Sequence, residues 1–251
     1  MRPAYVTQEG LEHFIDQAFK EDLGDGDHSS LASIPADAIK SAYLIMKEDG
    51  VIAGMELAPL IFHRLDPDMI ISPLAKDGDQ VKTGEIILRL KGKVRAILGG
   101  ERLLLNCMQR MSGIATKTSQ LTDMISGTNA KLLDTRKTTP NMRMLEKWAV
   151  LIGGGVNHRY GLFDMIMLKD NHIDFCGGVV KAIEITKQYL KNNALDLKII
   201  VEARDFDEIQ QILSTTGVHR VLIDNFNFED TKKAVAMIGD SCLTESSGGI
   251  T

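Results

Sequence analysis

The chain has few of the features that fix a function class at sight. It holds only three cysteines, Cys107, Cys176 and Cys242, far apart in 251 residues and without a CxxC spacing. That excludes a disulfide framework and a thiolate zinc site, and fits a reducing compartment. Each cysteine sits among apolar neighbours, which argues against a nucleophilic thiol. No apolar run is long enough for a transmembrane helix, and the start, MRPAYVTQEG, lacks the apolar core of a signal peptide, so a cytoplasmic location is the expectation. Charge of one sign is not in excess: 29 basic and 34 acidic side chains leave a net charge of −5. A dedicated nucleic-acid binder is therefore not expected, although a local basic pocket is allowed. Neither a P-loop nor a GxGxxG fingerprint occurs.

What is present is an ordinary globular mixture, 44% hydrophobic and 25% charged. Its length fits one large α/β domain, or a small domain followed by a barrel-like one. Thr7 is a candidate N-cap for a helix with Leu11, Phe14, Ile15, Ala18 and Phe19 on its apolar face. Residues 40–98 read as short strands (42–46, 51–53, 86–90) separated by glycine turns, with one helix at 56–65 and a hairpin around 76–85. A long helix over 99–125 follows, with a kink expected near Ser112-Gly113. Beyond residue 130 the texture becomes repeated βα units. Strands are predicted at 131–133, 165–168, 198–201, 220–223 and 242–244, with helices at 142–150, 178–190, 205–213 and 228–238. That alternation implies a parallel sheet, open or closed into a barrel.

Polar groups follow each of those strands: Asp134-Thr135-Arg136-Lys137, then Lys169-Asp170-Asn171-His172, Glu202, Asp224-Asn225, and Glu245-Ser246-Ser247-Gly248-Gly249. One such group alone reads as a solvated strand end. A succession of them points to a site at the carboxyl edge of a parallel sheet. Arg136, Lys137, His158, Arg159 and Lys169 suit a multiply anionic ligand. Glu202 and Asp224 would oppose that ligand unless a hard divalent cation lay between, and magnesium meets the need. The glycine runs Gly153-Gly154-Gly155 and Gly248-Gly249 are candidates for backbone N–H contacts to phosphate.

These strings resemble the quinolinate phosphoribosyltransferases. The resemblance is carried by Leu133-Asp134-Thr135-Arg136-Lys137-Thr138-Thr139-Pro140, Glu146-Lys147, Gly153 to Arg159, and Leu168-Lys169-Asp170-Asn171-His172. Further matches are Glu101-Arg102 with Asn106, Ser112-Gly113-Ile114-Ala115, the loop Glu21 to Asp27, and Glu245 to Gly249. The family implies an α/β fold in which an N-terminal α/β sandwich domain (1–110, with a bridging helix) precedes an open α/β barrel of parallel strands (111–251). Family chains are expected to continue past the Ser-Gly-Gly strand, so the barrel domain is expected to be cut short at Thr251.

The family further implies a homodimer in which Arg102 reaches the partner's site. Arg136, His158 and Arg159 would grip the quinolinate carboxylates, with Lys137 and Lys169 nearby. Glu202 and Asp224 would face ribose and Mg2+, and Ser247 and Gly248 the phosphate end. Lys169, Glu202 and Asp224 would be catalytic. The implied reaction joins quinolinate to phosphoribosyl pyrophosphate and gives nicotinate mononucleotide, carbon dioxide and pyrophosphate, in NAD biosynthesis. Related phosphoribosyltransferases are the rivals, either the nicotinate enzyme or the paralogue found near molybdenum-transport genes; the nicotinate enzyme acts on a monocarboxylate and would need fewer cations than Arg102, Arg136, His158 and Arg159 together provide. A ligand-binding protein that had lost catalysis is the alternative from another class. A lipoyl or biotinyl carrier finds support only in the hairpin at 76–79, which lacks the carrier lysine motif.

Overall fold

The computed structural model describes residues 2–249. Compactness divides the chain into two units, one ending at His158 and the other beginning at Arg159. The boundary expected at 110/111 lies inside an unbroken helix whose later residues, Met111 and Ala115, are still fully buried in the first unit's core.

The first unit opens with helices α1 (Gln8–Asp22) and α2 (His28–Ser33). Thr7 caps α1 as expected, its Oγ1 accepting from Gly10 N at 3.0 Å. Leu11, Ile15 and Phe19, four residues apart, turn its apolar stripe into the core. Strands β1 (Ile39–Ile45) and β2 (Gly50–Val51), helix α3 (Leu57–Leu65), and strands β3 (Ile70–Pro73), β4 (Gln80–Val81) and β5 (Ile86–Lys93) follow. β5 lies between β1 and β3 in an antiparallel sheet, while β2 pairs with β4. Along β5, Ile87 and Leu88 are buried and the charged Arg89, Lys91 and Lys93 are exposed. Helices α4 (Val94–Met124) and α5 (Arg143–Ile152) complete the unit.

Helix α4 runs without interruption through Ser112-Gly113, where a kink was expected. The reason lies in what Ser112 bonds. Its Oγ accepts from Ala53 N at 2.9 Å, and Thr116 Oγ1, one turn on, accepts from Val51 N at 2.9 Å. The same hydroxyls lie 3.3 Å from Ala53 O and 3.5 Å from Val51 O. They therefore serve the backbone beside β2 instead of competing with their own helix.

The second unit is a βα series. β6 (Ile166–Leu168), α6 (Asp170–Cys176), α7 (Val179–Asn192), β7 (Ile199–Ala203), α8 (Phe206–Leu213), β8 (Val218–Asp224), α9 (Phe228–Ile238) and β9 (Leu243–Ser247) follow one another. The strands form one open parallel sheet in sequence order. Asp205 caps α8 and Asn227 caps α9, so each strand hands over to its helix through a polar residue. The strand predicted at 131–133 is reduced to a single parallel bridge, Leu133 with Val156, inside the first unit. Hydrogen bonds from Val156 N to Leu132 O (2.8 Å) and Asp134 N to Val156 O (3.1 Å) satisfy that segment.

Asp77 shows how a buried charge is used in this fold. Its Oδ1 accepts from Met55 N at 2.8 Å just ahead of α3, whereas Oδ2 is buried with no hydrogen-bond partner among the described residues. Burial pushes the carboxyl above its ordinary value, although backbone N–H groups of Met55, Gly54 and Glu56 pull it down. A folded state that holds the proton more tightly than the unfolded chain loses stability as pH rises from 3.8 through the raised value, then levels off. Asp77→Asn removes that titration and keeps one acceptor. The Tm of the variant minus that of the parent should therefore increase across this window in thermal melts at stepped pH; a pH-independent difference would show that Asp77 does not titrate as its burial demands.

Candidate active site

The cationic candidates of the first unit stand on a loop that one helix holds at both ends. At the start, Asp134 accepts from Lys147 Nζ and from His158 N (2.8 Å) through Oδ1, and from Asn157 Nδ2 (2.6 Å) through Oδ2. Near the end, Glu146 Oε2 accepts from Thr139 N at 3.1 Å, and Glu146 Oε1 accepts from Arg110 Nε at 2.8 Å. Arg143 Nε donates to Thr138 Oγ1 at 3.1 Å. Arg143, Glu146 and Lys147, spaced i, i+3 and i+4 along α5, thus anchor residues 134–139. Between the anchors lie Arg136, half-buried, and Lys137, exposed. Arg136 Nε is buried and has no acceptor among the described residues. A buried guanidinium donor left unpaired costs free energy that an anionic ligand would recover.

The second unit supplies the acidic candidates, and strand alternation explains their placement. Ile199, Val201 and Ala203 of β7 and Val221 and Ile223 of β8 enter the core shared with helices α7, α8 and α9. Successive strand residues face opposite sides, so Glu202, Leu222 and Asp224 face away from those helices. The register sets Glu202 beside Leu222, Leu222 beside Glu245, and Asp224 beside Ser247. Lys169 Nζ, just past β6, lies 3.8 Å from Glu202 Oε2. Burial first, and then the neighbouring charge of Asp224, push the Glu202 carboxyl up; Lys169 opposes them.

At the edge of that face, β8 and β9 are locked together. Asn225 adopts a left-handed φ of 58°, donates its N–H to Ser247 O at 2.8 Å, and donates Nδ2 to Asp224 Oδ2 at 2.7 Å. Gly248, at φ 81°, passes so close that a Cβ there would meet Asn225 Oδ1 at 2.1 Å. Only glycine fits.

The other candidates stand as follows. Arg159 is buried, with Nη1 on Met165 O at 3.3 Å and Nη2 on Met167 Sδ at 3.6 Å. Arg102 is exposed on α4, and no hydrogen bond or ion pair holds it among the described residues. Gly153-Gly154-Gly155, expected as a phosphate cradle, is a packing element instead. Its three N–H groups are taken by Ala149 O, Leu151 O and Val150 O at 3.0, 3.1 and 3.0 Å. A Cβ on Gly153 would meet Ala115 O at 2.4 Å, because α5 ends hard against α4. Sequence reasoning did not assign roles to Lys147, Asn157, Tyr5 or Asn225. The available signal was the charged Glu146-Lys147 pair within an otherwise apolar stretch. Among the described residues, no cluster of three or more potential metal ligands occurs, and no helix is long and apolar enough to cross a membrane.

The second unit is a parallel sheet with carboxylates at its strand ends, as in α/β enzymes, and the first carries a braced loop whose cations suit an anionic ligand. Models of the N-terminal and C-terminal domains of quinolinate phosphoribosyl transferase match residues 27–112 and 114–251, and the chain belongs to that family. It is 42% identical to the chloroplastic nicotinate-nucleotide pyrophosphorylase [carboxylating] of Arabidopsis thaliana, over 99% of this chain and 75% of that protein. It is 36% identical to a probable nicotinate-nucleotide pyrophosphorylase [carboxylating] of Bacillus subtilis, over 96% of this chain and 82% of that one. Among solved structures, NadC from Streptococcus pyogenes superposes with a TM-score of 0.92 at 34% identity, covering 98% of this chain and 86% of that one.

If Gly153 serves packing, Gly153→Ala should cost about 1–3 kcal/mol, the usual penalty for overfilling a tight contact. Chemical denaturation should show that loss without any ligand present, while ligand affinities of the folded fraction stay at the parent level. Unchanged stability with weakened phosphate binding would return the glycines to the ligand site.

Proposed function

We propose that the chain transfers phosphoribosyl from phosphoribosyl pyrophosphate to quinolinate with decarboxylation, yielding nicotinate mononucleotide, carbon dioxide and pyrophosphate in NAD biosynthesis. Beside family membership, the observation that carries this reading is the buried Arg136 Nε with no acceptor among the described residues, on a loop braced by α5. A substrate carboxylate supplies the missing acceptor. In this reading Arg136, His158 and Arg159 bind the two carboxylates, with Lys137 and Lys169 adding positive charge. The protein acts as a cytoplasmic homodimer in which the exposed Arg102 of one protomer completes the site of the other.

Glu202 and Asp224 fit a magnesium ion. They lie on one sheet face at neighbouring strands, and the charge of Asp224 adds to burial in disfavouring ionisation of Glu202. With no third protein ligand clustered among the described residues, the remaining positions suit substrate oxygens and water, as magnesium prefers. The ion would supply positive charge to the departing pyrophosphate.

The side chains carry the rest. Departure of pyrophosphate leaves an oxocarbenium-like ribose, which the carboxylates of Glu202 and Asp224 stabilise. Lys169, 3.8 Å from Glu202, offsets charge on the leaving group. The pyridine nitrogen of quinolinate, oriented by Arg136, His158 and Arg159, attacks the anomeric carbon. The quaternised ring then accepts the electron pair released when the adjacent carboxylate leaves as carbon dioxide. Ser247 and Gly248 lie at the phosphate end. The N–H groups of Gly248 and Gly249, unlike those of Gly153 to Gly155, make no hydrogen bond among the described residues.

Quinolinate and phosphoribosyl pyrophosphate with Mg2+ should yield nicotinate mononucleotide. In thermal-shift titrations at fixed ionic strength, quinolinate should raise Tm by mass action well above the shift from nicotinate, whose single carboxylate leaves cations unpaired. Equal shifts, or a larger one from nicotinate, would remove the dicarboxylate assignment. For the dimer, mixing Arg102→Ala with Lys169→Ala chains should restore activity through hybrid sites; mixed dimers that form and remain inactive would place Arg102 outside the partner's site.

A further inference from the structure

The first unit contains a buried charge network that no step of the reaction above uses. Lys147 is 1% exposed and its partner Asp134 7%. Lys147 Nζ donates to Asp134 Oδ1 and, at 3.2 Å, to His158 O. Asp134 Oδ1 also accepts from His158 N at 2.8 Å. Both backbone polar groups of His158 are therefore held by one ion pair. Asn157 closes the ring. Its Nδ2 donates to Asp134 Oδ2 at 2.6 Å and to Lys147 O at 2.8 Å, and its Oδ1 accepts from the Tyr5 hydroxyl at 2.6 Å. Two residues after Asp134 comes Arg136.

A buried ion pair is an inefficient way to stabilise a fold, since desolvation cancels most of the attraction and apolar side chains of similar volume do as well. What it imposes is geometry. A fully satisfied network of charged hydrogen bonds permits one arrangement of its donors and acceptors, and here that arrangement sets the backbone at His158 and at the root of Arg136. We infer that Lys147, Asp134, Asn157 and Tyr5 act as one positioning unit, which presets Arg136 and His158 for the dicarboxylate and leaves phosphoribosyl pyrophosphate binding unaffected. None of the four is a catalytic residue. The selectivity follows from placement: the network lies in the first compact unit, whereas Lys169, Glu202 and Asp224, which serve the phosphorylated substrate, belong to the second. The inference rests on the quinolinate reading above.

The test uses the full chain and two variants. In the charge-neutral double variant Asp134→Asn, Lys147→Met, no charge is left buried alone. Tyr5→Phe removes only the outermost hydroxyl. Equilibrium titrations with quinolinate, and separately with phosphoribosyl pyrophosphate and Mg2+, are compared with Tm and with the split of KM and kcat. The double variant should weaken quinolinate binding and raise its KM by roughly tenfold or more, the scale of a misplaced charged contact. Phosphoribosyl pyrophosphate affinity should stay within about twofold. Tyr5→Phe should move quinolinate affinity in the same direction by a smaller factor, at nearly unchanged Tm. Equal loss of affinity for both ligands in step with a fall in Tm would mean that the network is merely structural, and unchanged quinolinate affinity would also overturn the inference. Should the double variant fail to fold, Tyr5→Phe alone decides. If the parent chain itself fails to bind quinolinate, the functional reading falls and this inference with it; if the parent binds and the variants bind equally well, only the inference falls.

Discussion

The ion pair between Lys147 and Asp134 constrains more of the first unit than any other contact. Neither side chain has meaningful access to water, so each must find its partners inside the chain, and those partners lie on the segments that carry the candidate residues Arg136 and His158. Through Asp134 the pair fixes the root of the cationic loop. Through His158 N and O it fixes the end of the segment that follows the glycine run. The neighbouring Glu146 does the same for Thr139. The arrangement would be costly if any member were removed singly, because a charge would then remain buried without compensation. The close seat of α5 on α4, made possible by Gly153, holds the pair in place.

The second unit solves a different problem with simpler means. Its sheet alternates, with odd-numbered residues of β7 and β8 packing on helices and even-numbered ones turned the other way. That periodicity alone brings Glu202 and Asp224 to one face. There burial and the neighbouring charge of Asp224 raise the Glu202 carboxyl above its ordinary value. The lock between Asn225 and Gly248 then holds the neighbouring strand end in register.

How much of this could be read from the sequence depended on the range of the interaction. The βα series was legible because each strand and helix carries its own period: 228–238 was predicted and α9 covers Phe228–Ile238, and the acidic strand ends followed from the same pattern. Long-range closure was not legible. The stretch 131–133 has strand composition, yet only Leu133 finds a bridge, because its partner is Val156 rather than another full strand. Ser112-Gly113 resembles a kink until the backbone of residues 51–53 is seen to claim the serine hydroxyl. The triple glycine resembles a phosphate loop until its N–H groups prove to be occupied. Lys147 carries a charge that any sequence pattern assigns to the surface, and only its partners, 13 residues upstream and 11 downstream, explain its burial.

The hydroxyls of Ser112 and Thr116 carry a further consequence for how the protein behaves in company. β2 uses one side of its backbone to pair with β4; Val51 and Ala53 point the other way and would present an open ladder. A strand from another molecule could add there, as unpaired sheet edges invite. Each of those residues instead meets one hydroxyl, spaced by one turn of α4, so a helix terminates the sheet. Replacing the two hydroxyls with hydrogen would leave α4 seated and the two N–H groups of the buried Val51 and Ala53 without acceptors, so the hydroxyls let a sheet edge end inside the protein instead of at its surface.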